Sequence, residues 1–121
     1  MSTISIGLIV LVAVEFFYIM YLETFATTSS TTSRIFNMST DELNRNSVKT
    51  LFKNQGIYNG LLGIGLLYSV FFSTATLEIS RLLLVYIILV AFYGSLTSDK
   101  KIIVTQGGLA ILALISTFVM G

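Results

Sequence analysis

Four apolar stretches leave this chain few ways to fold. Ile4–Leu22, Gly56–Phe72, Leu82–Thr97 and Ile102–Met120 are each nearly free of charge. Each approaches the roughly 20 residues that a helix needs to cross a hydrocarbon layer at about 1.5 Å per residue. The third is short, and it is completed by a turn borrowed from Ile79–Arg81 or by Arg81 snorkelling to the interface. The whole chain is 55% hydrophobic and 11% charged, where soluble domains carry about 25% charge. The expectation is an all-α fold, one integral membrane four-helix bundle over residues 1–121, with the lipid bilayer as its solvent.

What is missing narrows the chemistry. There is no Cys and no His. Disulfides, thiolate and imidazole metal sites, and Cys/His or Ser/His nucleophile pairs are therefore excluded. No metal and no cofactor is expected. A net charge of +1 gives no basic face for nucleic acid. There is no Pro, so no helix is forced to kink by a missing backbone donor. The first stretch begins MSTISIG, without the basic region of a secretory signal, and FATTSS imitates a cleavage site only weakly. It is read as a retained span.

Basic residues set the orientation. Arg34, Arg45, Lys49 and Lys53 lie in the first loop, residues 24–54, and Lys100 and Lys101 lie between the third and fourth stretches. Arg81 alone is on the other side, one turn after Glu78. Both loops should be cytoplasmic and both termini outside. Within the first loop, TFATTSSTTSR reads as a flexible extension of the first span. Ser39 with Glu42 three residues on forms a capping box. Leu43, Val48, Leu51 and Phe52 follow at roughly helical spacing. The pattern predicts a short amphipathic helix on the inner surface, with a plain solvated connector as the alternative.

The polar residues of the spans gather at one depth. Glu15 and Tyr18 share a face of the first span, with Glu23 about 80° away and nearer the inner surface. Gln55 and Asn59 share a face with Gly63, and Tyr93 and Thr97 share one on the third span. Gln106 heads a small, polar stripe on the fourth. Glu15 falls about 10 Å inside the inner boundary, and Asn59, Tyr93 and Gln106 about one turn inside it. A carboxyl in lipid is costly and faces the bundle interior or water. Asn59, Gln106, Tyr93 and Tyr18 are the expected donors, so the proton- or substrate-binding candidates centre on Glu15. The plain alternative is interhelical glue, which suits Asn59 and Gln106. Gln would glue more cheaply than Glu, which favours a working role for Glu15. Gly56 and Gly60 form a GxxxG, and with Gly63, Gly94 and Gly107 they are expected to let helices approach closely. No strand precedes these glycines, so a nucleotide loop is a poor reading of them.

An acidic residue followed by YIMYLE, then NQGIYNG, AFYGSLT and a Gln-Gly pair resemble the small four-span bacterial membrane proteins of domain-of-unknown-function family 1304. The resemblance covers nearly the whole chain. Glu15, Tyr18, Glu23, Asn54, Gln55, Gly56, Tyr58, Asn59, Tyr93, Gly94, Thr97, Gln106 and Gly107 fall on its motif positions. Phe16 departs from the pattern, which usually places His after the first Glu. The resemblance implies fold and membrane location, and no activity.

Two functions suit such a chain. One is a proton-linked small-solute transporter, which resembles the small multidrug resistance exporters in architecture apart from the long first loop. Four helices enclose little, so that reading implies a homo-oligomer, at least a dimer. The other is an accessory subunit whose polar cluster binds a membrane protein partner. A membrane-embedded enzyme using Glu15 with Tyr18 or Tyr93 is weakened by Phe16 and the lack of His. The orientation is directly testable, because the chain has no native thiol. With Ser30→Cys and Ser2→Cys in intact cells, an impermeant maleimide should label only the second. Labelling of the first alone would reverse the orientation and remove the depth argument.

Overall fold

A computed structural model describes residues 1–98 and 105–121, and among these every regular element is helical. Helix α1 covers Thr3–Met20 and continues as a π-helical turn, Tyr21–Phe25. Then come α2 (Ser30–Phe36), α3 (Thr40–Leu43), α4 (Asn46–Phe71), α5 (Thr76–Thr97) and α6 (Gly108–Val119). Lys100, Lys101 and the beginning of the fourth apolar stretch at Ile102 lie outside the described residues. Thr3–Phe25 and Thr76–Thr97 are long and apolar enough to cross a membrane, while α6 is apolar but only 12 residues long. The third apolar stretch gains its missing length by starting at Thr76, so Glu78 and Arg81 are part of α5.

The chain forms two compact units. The first comprises Met1–Ala13 and Ile64–Gly121. Its apolar core holds Ile9, Val12, Leu66, Leu84 and Ile87, with Ala91, Ala110 and Ala113 where small side chains allow close packing. Hydroxyl pairs tie its helices. Ser5 on α1 meets Ser116 on α6 at 2.9 Å, and Ser69 on α4 meets Ser80 on α5 at 2.8 Å. All four serines are buried. A buried hydroxyl needs a partner, and a serine opposite supplies both donor and acceptor in little volume. The opposite face of α5 carries Leu82, Leu89, Phe92, Tyr93 and Leu96, all exposed. Such an outward face suits hydrocarbon better than water.

The second unit is Val14–Gly63. Its core is Phe16, Ile19, Leu22 and Leu43. The segment expected to be a flexible extension is instead a set of caps. The last turn of a helix leaves carbonyls without intrahelical donors. Here Thr27 Oγ1 donates to the Glu23 carbonyl at 2.6 Å, and Thr32 Oγ1 donates to the Leu22 and Ala26 carbonyls at 3.2 and 2.6 Å. Ser29 N-caps α2 by accepting from the Thr32 amide, and Asn37 ends it in the left-handed conformation at φ 54°. Low complexity hid this, since a run of Ser and Thr reads as polar filler until hydroxyls are matched to carbonyls.

The expected amphipathic helix also changes form. Ser39 caps as predicted, accepting from the Glu42 amide at 3.2 Å. The helix it starts lasts only Thr40–Leu43, and after Asn44 and Arg45 a single helix of 26 residues runs through to Phe71. Nothing between Asn46 and Gly56 can stop a helix. There is no Pro, and one interior Gly costs only about 1 kcal/mol. Val48, Leu51 and Phe52 are therefore the first turns of α4. Phe52 packs edge-on against Phe36 of α2, with ring centroids 5.2 Å apart.

The capping role of Thr32 is open to test. Thr32→Val keeps the shape and strands two carbonyls, at a cost of about 1–3 kcal/mol. Thr31→Val, beside it, should cost far less. Thermal unfolding in detergent should separate the two variants; equal melting temperatures would show that the caps contribute nothing.

Candidate functional site

The end of α1 lies against the first half of α4 in antiparallel register. A Cβ at Gly56 would collide with Thr24 Oγ1 and would come within 3.1 Å of the Glu23 and Thr24 Cβ atoms. A Cβ at Gly60 would collide with Met20 Sδ. The GxxxG spacing thus does what its sequence suggested, with both glycines buried one turn apart on the face turned to α1. A reciprocal pair pins the register: Thr24 Oγ1 donates to the Lys53 carbonyl at 3.0 Å, and Lys53 Nζ donates to the Thr24 carbonyl at 3.1 Å.

Close approach brings one carboxylate into contact with two amides. Glu23 is 0% exposed. Gln55 Nε2 donates to its Oε2 at 2.6 Å, and Asn59 Nδ2 donates to its Oε1 at 2.6 Å. Gln55 and Asn59 are one turn apart on α4, with Gly56 between them, so the same face supplies both donors and the space for the acid. The π-helical turn completes the geometry. The Ala26 amide reaches back five residues to the Tyr21 carbonyl at 2.9 Å. That wider turn moves Glu23 off the phase of a straight α-helix, and such turns recur at functional sites. Both partners of Glu23 are neutral. They can solvate a negative charge, but they cannot cancel it. Gln55 is exposed and Asn59 half-buried, so the cluster is approached from the Gln55 side.

The acid held by the amides is therefore Glu23 rather than Glu15. With Met20 against Gly60 and Thr24 against Gly56, Asn59 falls opposite the Glu23 turn, about two turns short of Glu15. Glu15 is half-buried, and its buried Oε1 has no hydrogen-bond partner among the described residues. Tyr18 is 49% exposed on the outer face of α1. Tyr93, Thr97 and Gln106 belong to the first unit. Tyr93 is 69% exposed, Thr97 Oγ1 donates to the Tyr93 carbonyl at 3.0 Å, and Gln106 sits half-buried just before α6. Gly63 and Gly107 are buried, and Gly94 is half-buried. Sequence reasoning missed Thr24, Lys53 and Met20 because their roles come from the register of two helices and leave no local pattern.

The cluster lies within the span that a family model matches. The model of the family described as "Protein of unknown function (DUF1304)" matches residues 10–118. The chain belongs to this family. It is similar to "Uncharacterized protein YpaA" of Lactococcus lactis subsp. lactis (strain IL1403), with 75% identity over 118 residues, covering 98% of this chain and 99% of that one. No solved structure matches it. The earlier resemblance is thus a true membership, and the NQGIYNG motif has a physical content. It is a helix face that admits a neighbouring helix at two glycines and offers two amides to that helix's acid.

The two glycines should differ in tolerance. Gly56→Ala meets the short, β-branched Thr24, whose hydroxyl is already engaged, and should cost about 1–3 kcal/mol. Gly60→Ala meets the flexible end of Met20, which can turn away. Melting temperatures in detergent should fall more for the first; the reverse order would contradict the register.

Proposed function

We propose that this chain is a multi-pass membrane protein, and that the Glu23 carboxylate is the exchangeable site of a proton-linked small-solute transporter. One observation carries the reading: a fully buried carboxylate held only by neutral amides. A structural acid in a low-dielectric setting is normally paired with a fixed cation. Glu23 keeps acceptor capacity on both oxygens, and the side-chain oxygens of Gln55 and Asn59 add acceptors beside it. Such a pocket attracts a proton or a small cation. It also sits at the C-terminal end of α1, where the helix dipole favours positive charge. A site of this kind can load and unload, because nothing permanent neutralises it.

The membrane setting is supported by the four apolar stretches, the outward apolar face of α5 and the gathering of six of seven basic residues in the two segments that separate the first stretch from the second and the third from the fourth. Lys53 is one of those basic residues, and its ammonium lies on the Thr24 carbonyl beside the cluster. On the positive-inside reading, the mouth of the site faces the cytoplasmic surface.

Glu23→Gln is the decisive variant. It keeps the shape and removes the charge, and the Gln55 or Asn59 amide facing the new NH2 can turn over to accept from it, so the variant should fold with a melting temperature close to native. Purified protein in liposomes with an internal pH dye should show proton flux under an imposed potential. The variant should lose about tenfold or more of it, a typical loss when a proton-transferring side chain is removed. Native flux from the Gln variant would make the cluster a helix-to-helix bracket, and the accessory-subunit reading would take its place.

A further inference from the structure

Arg81 is the one basic residue outside the two basic segments, and its surroundings are unusual. It stands six residues into α5, about 8 Å from the start of that helix. Its Nε donates to Thr117 Oγ1 at 3.1 Å, and its Nη2 donates to the Thr117 carbonyl at 2.8 Å. The guanidinium carbon lies 4.0 Å from the centre of the Phe118 ring. Three contacts to α6 thus fix a side chain that would otherwise be free to swing. All three are neutral. Glu78 lies one turn earlier on α5, yet it is exposed and no carboxylate bonds Arg81 among the described residues.

A guanidinium has five N–H donors in a rigid fork. Thr117 takes two of them, on the Nε side. The Nη1 side and the remaining Nη2 hydrogen keep the geometry that suits two oxygens of a phosphate. The charge stands near the end of an apolar helix long enough to cross a membrane, and in a spanning α5 that position falls where headgroups meet hydrocarbon. We infer that Arg81, held by Thr117 and Phe118, is a binding site for the phosphodiester of an anionic phospholipid. The net negative headgroup matters, because among the described residues no carboxylate is bonded to the guanidinium. A zwitterionic lipid would bring its own cation to it. The inference requires only that α5 crosses a bilayer and is independent of the role of Glu23.

The test is a lipid titration of the full chain in detergent, read by native mass spectrometry. The probes are phosphatidylglycerol, phosphatidylcholine and inorganic phosphate. The native protein should retain phosphatidylglycerol in preference to phosphatidylcholine, and inorganic phosphate at equal concentration should not displace it. Arg81→Gln should weaken phosphatidylglycerol binding about tenfold, as loss of a charge-assisted bidentate contact does. Should that variant fail to fold, Arg81→Lys keeps the charge without the fork and should still lose affinity severalfold. Equal retention of the two lipids by the native protein would overturn the inference. So would unchanged phosphatidylglycerol affinity in whichever of the two variants folds. Displacement by inorganic phosphate would overturn the lipid as ligand.

Discussion

A carboxylate buried away from water must find donors or give up its charge, and in this chain Glu23 finds two amides. Much of the second unit follows from that need. The amides sit one turn apart on α4, so α1 must come close to that face. Close approach demands glycine, and Gly56 and Gly60 stand where Thr24 and Met20 press in. A helix end brought against another helix would strand its last carbonyls, and the hydroxyls of Thr27 and Thr32 take them. Acid, amides, glycines and caps form one dependent set; removing the amides or the caps leaves a buried carboxylate or helix-end carbonyls unanswered.

The first unit solves a different problem by different means. Its helices are joined by serine pairs and by one guanidinium on a carbonyl and a ring. Hydroxyl pairs are small and carry no charge, so they can be buried without large desolvation cost. They hold helices together at single fixed points and have nothing to exchange. The acid cluster differs in kind, because its charge state is free to change while its neighbours stay put. That contrast in chemistry, more than any motif, distinguishes the two units.

Much of the candidate cluster was legible in the sequence, and which acid its amides hold was not. Gln55, Asn59, Gly56 and Gly60 were identified from helical spacing, and Glu23 was among the candidates. Glu15 was placed at the middle because it lies deeper in an apolar run, where an acid looks most expensive. Depth alone cannot say which residues of an antiparallel pair stand opposite each other. The register does, and it is set by Thr24 with Lys53 and by Met20 with Gly60, contacts without a local signature. The π-helical turn adds to the error, since helical phase was counted at 100° per residue through a segment that does not keep it. The Ser/Thr run failed for a related reason: composition marks it as polar, and only geometry shows that its hydroxyls are committed.

Glu15 is what this register leaves over. Its position places it beyond the reach of the amides, and its buried Oε1 has no partner among the described residues. A leucine there would pack without the desolvation cost that the carboxyl carries. Glu23 has both carboxylate oxygens met by amides, while Glu15, about 12 Å back along the same helix, keeps its buried Oε1 without a partner among the described residues; the register of one helix pair decides which of the two acids is answered.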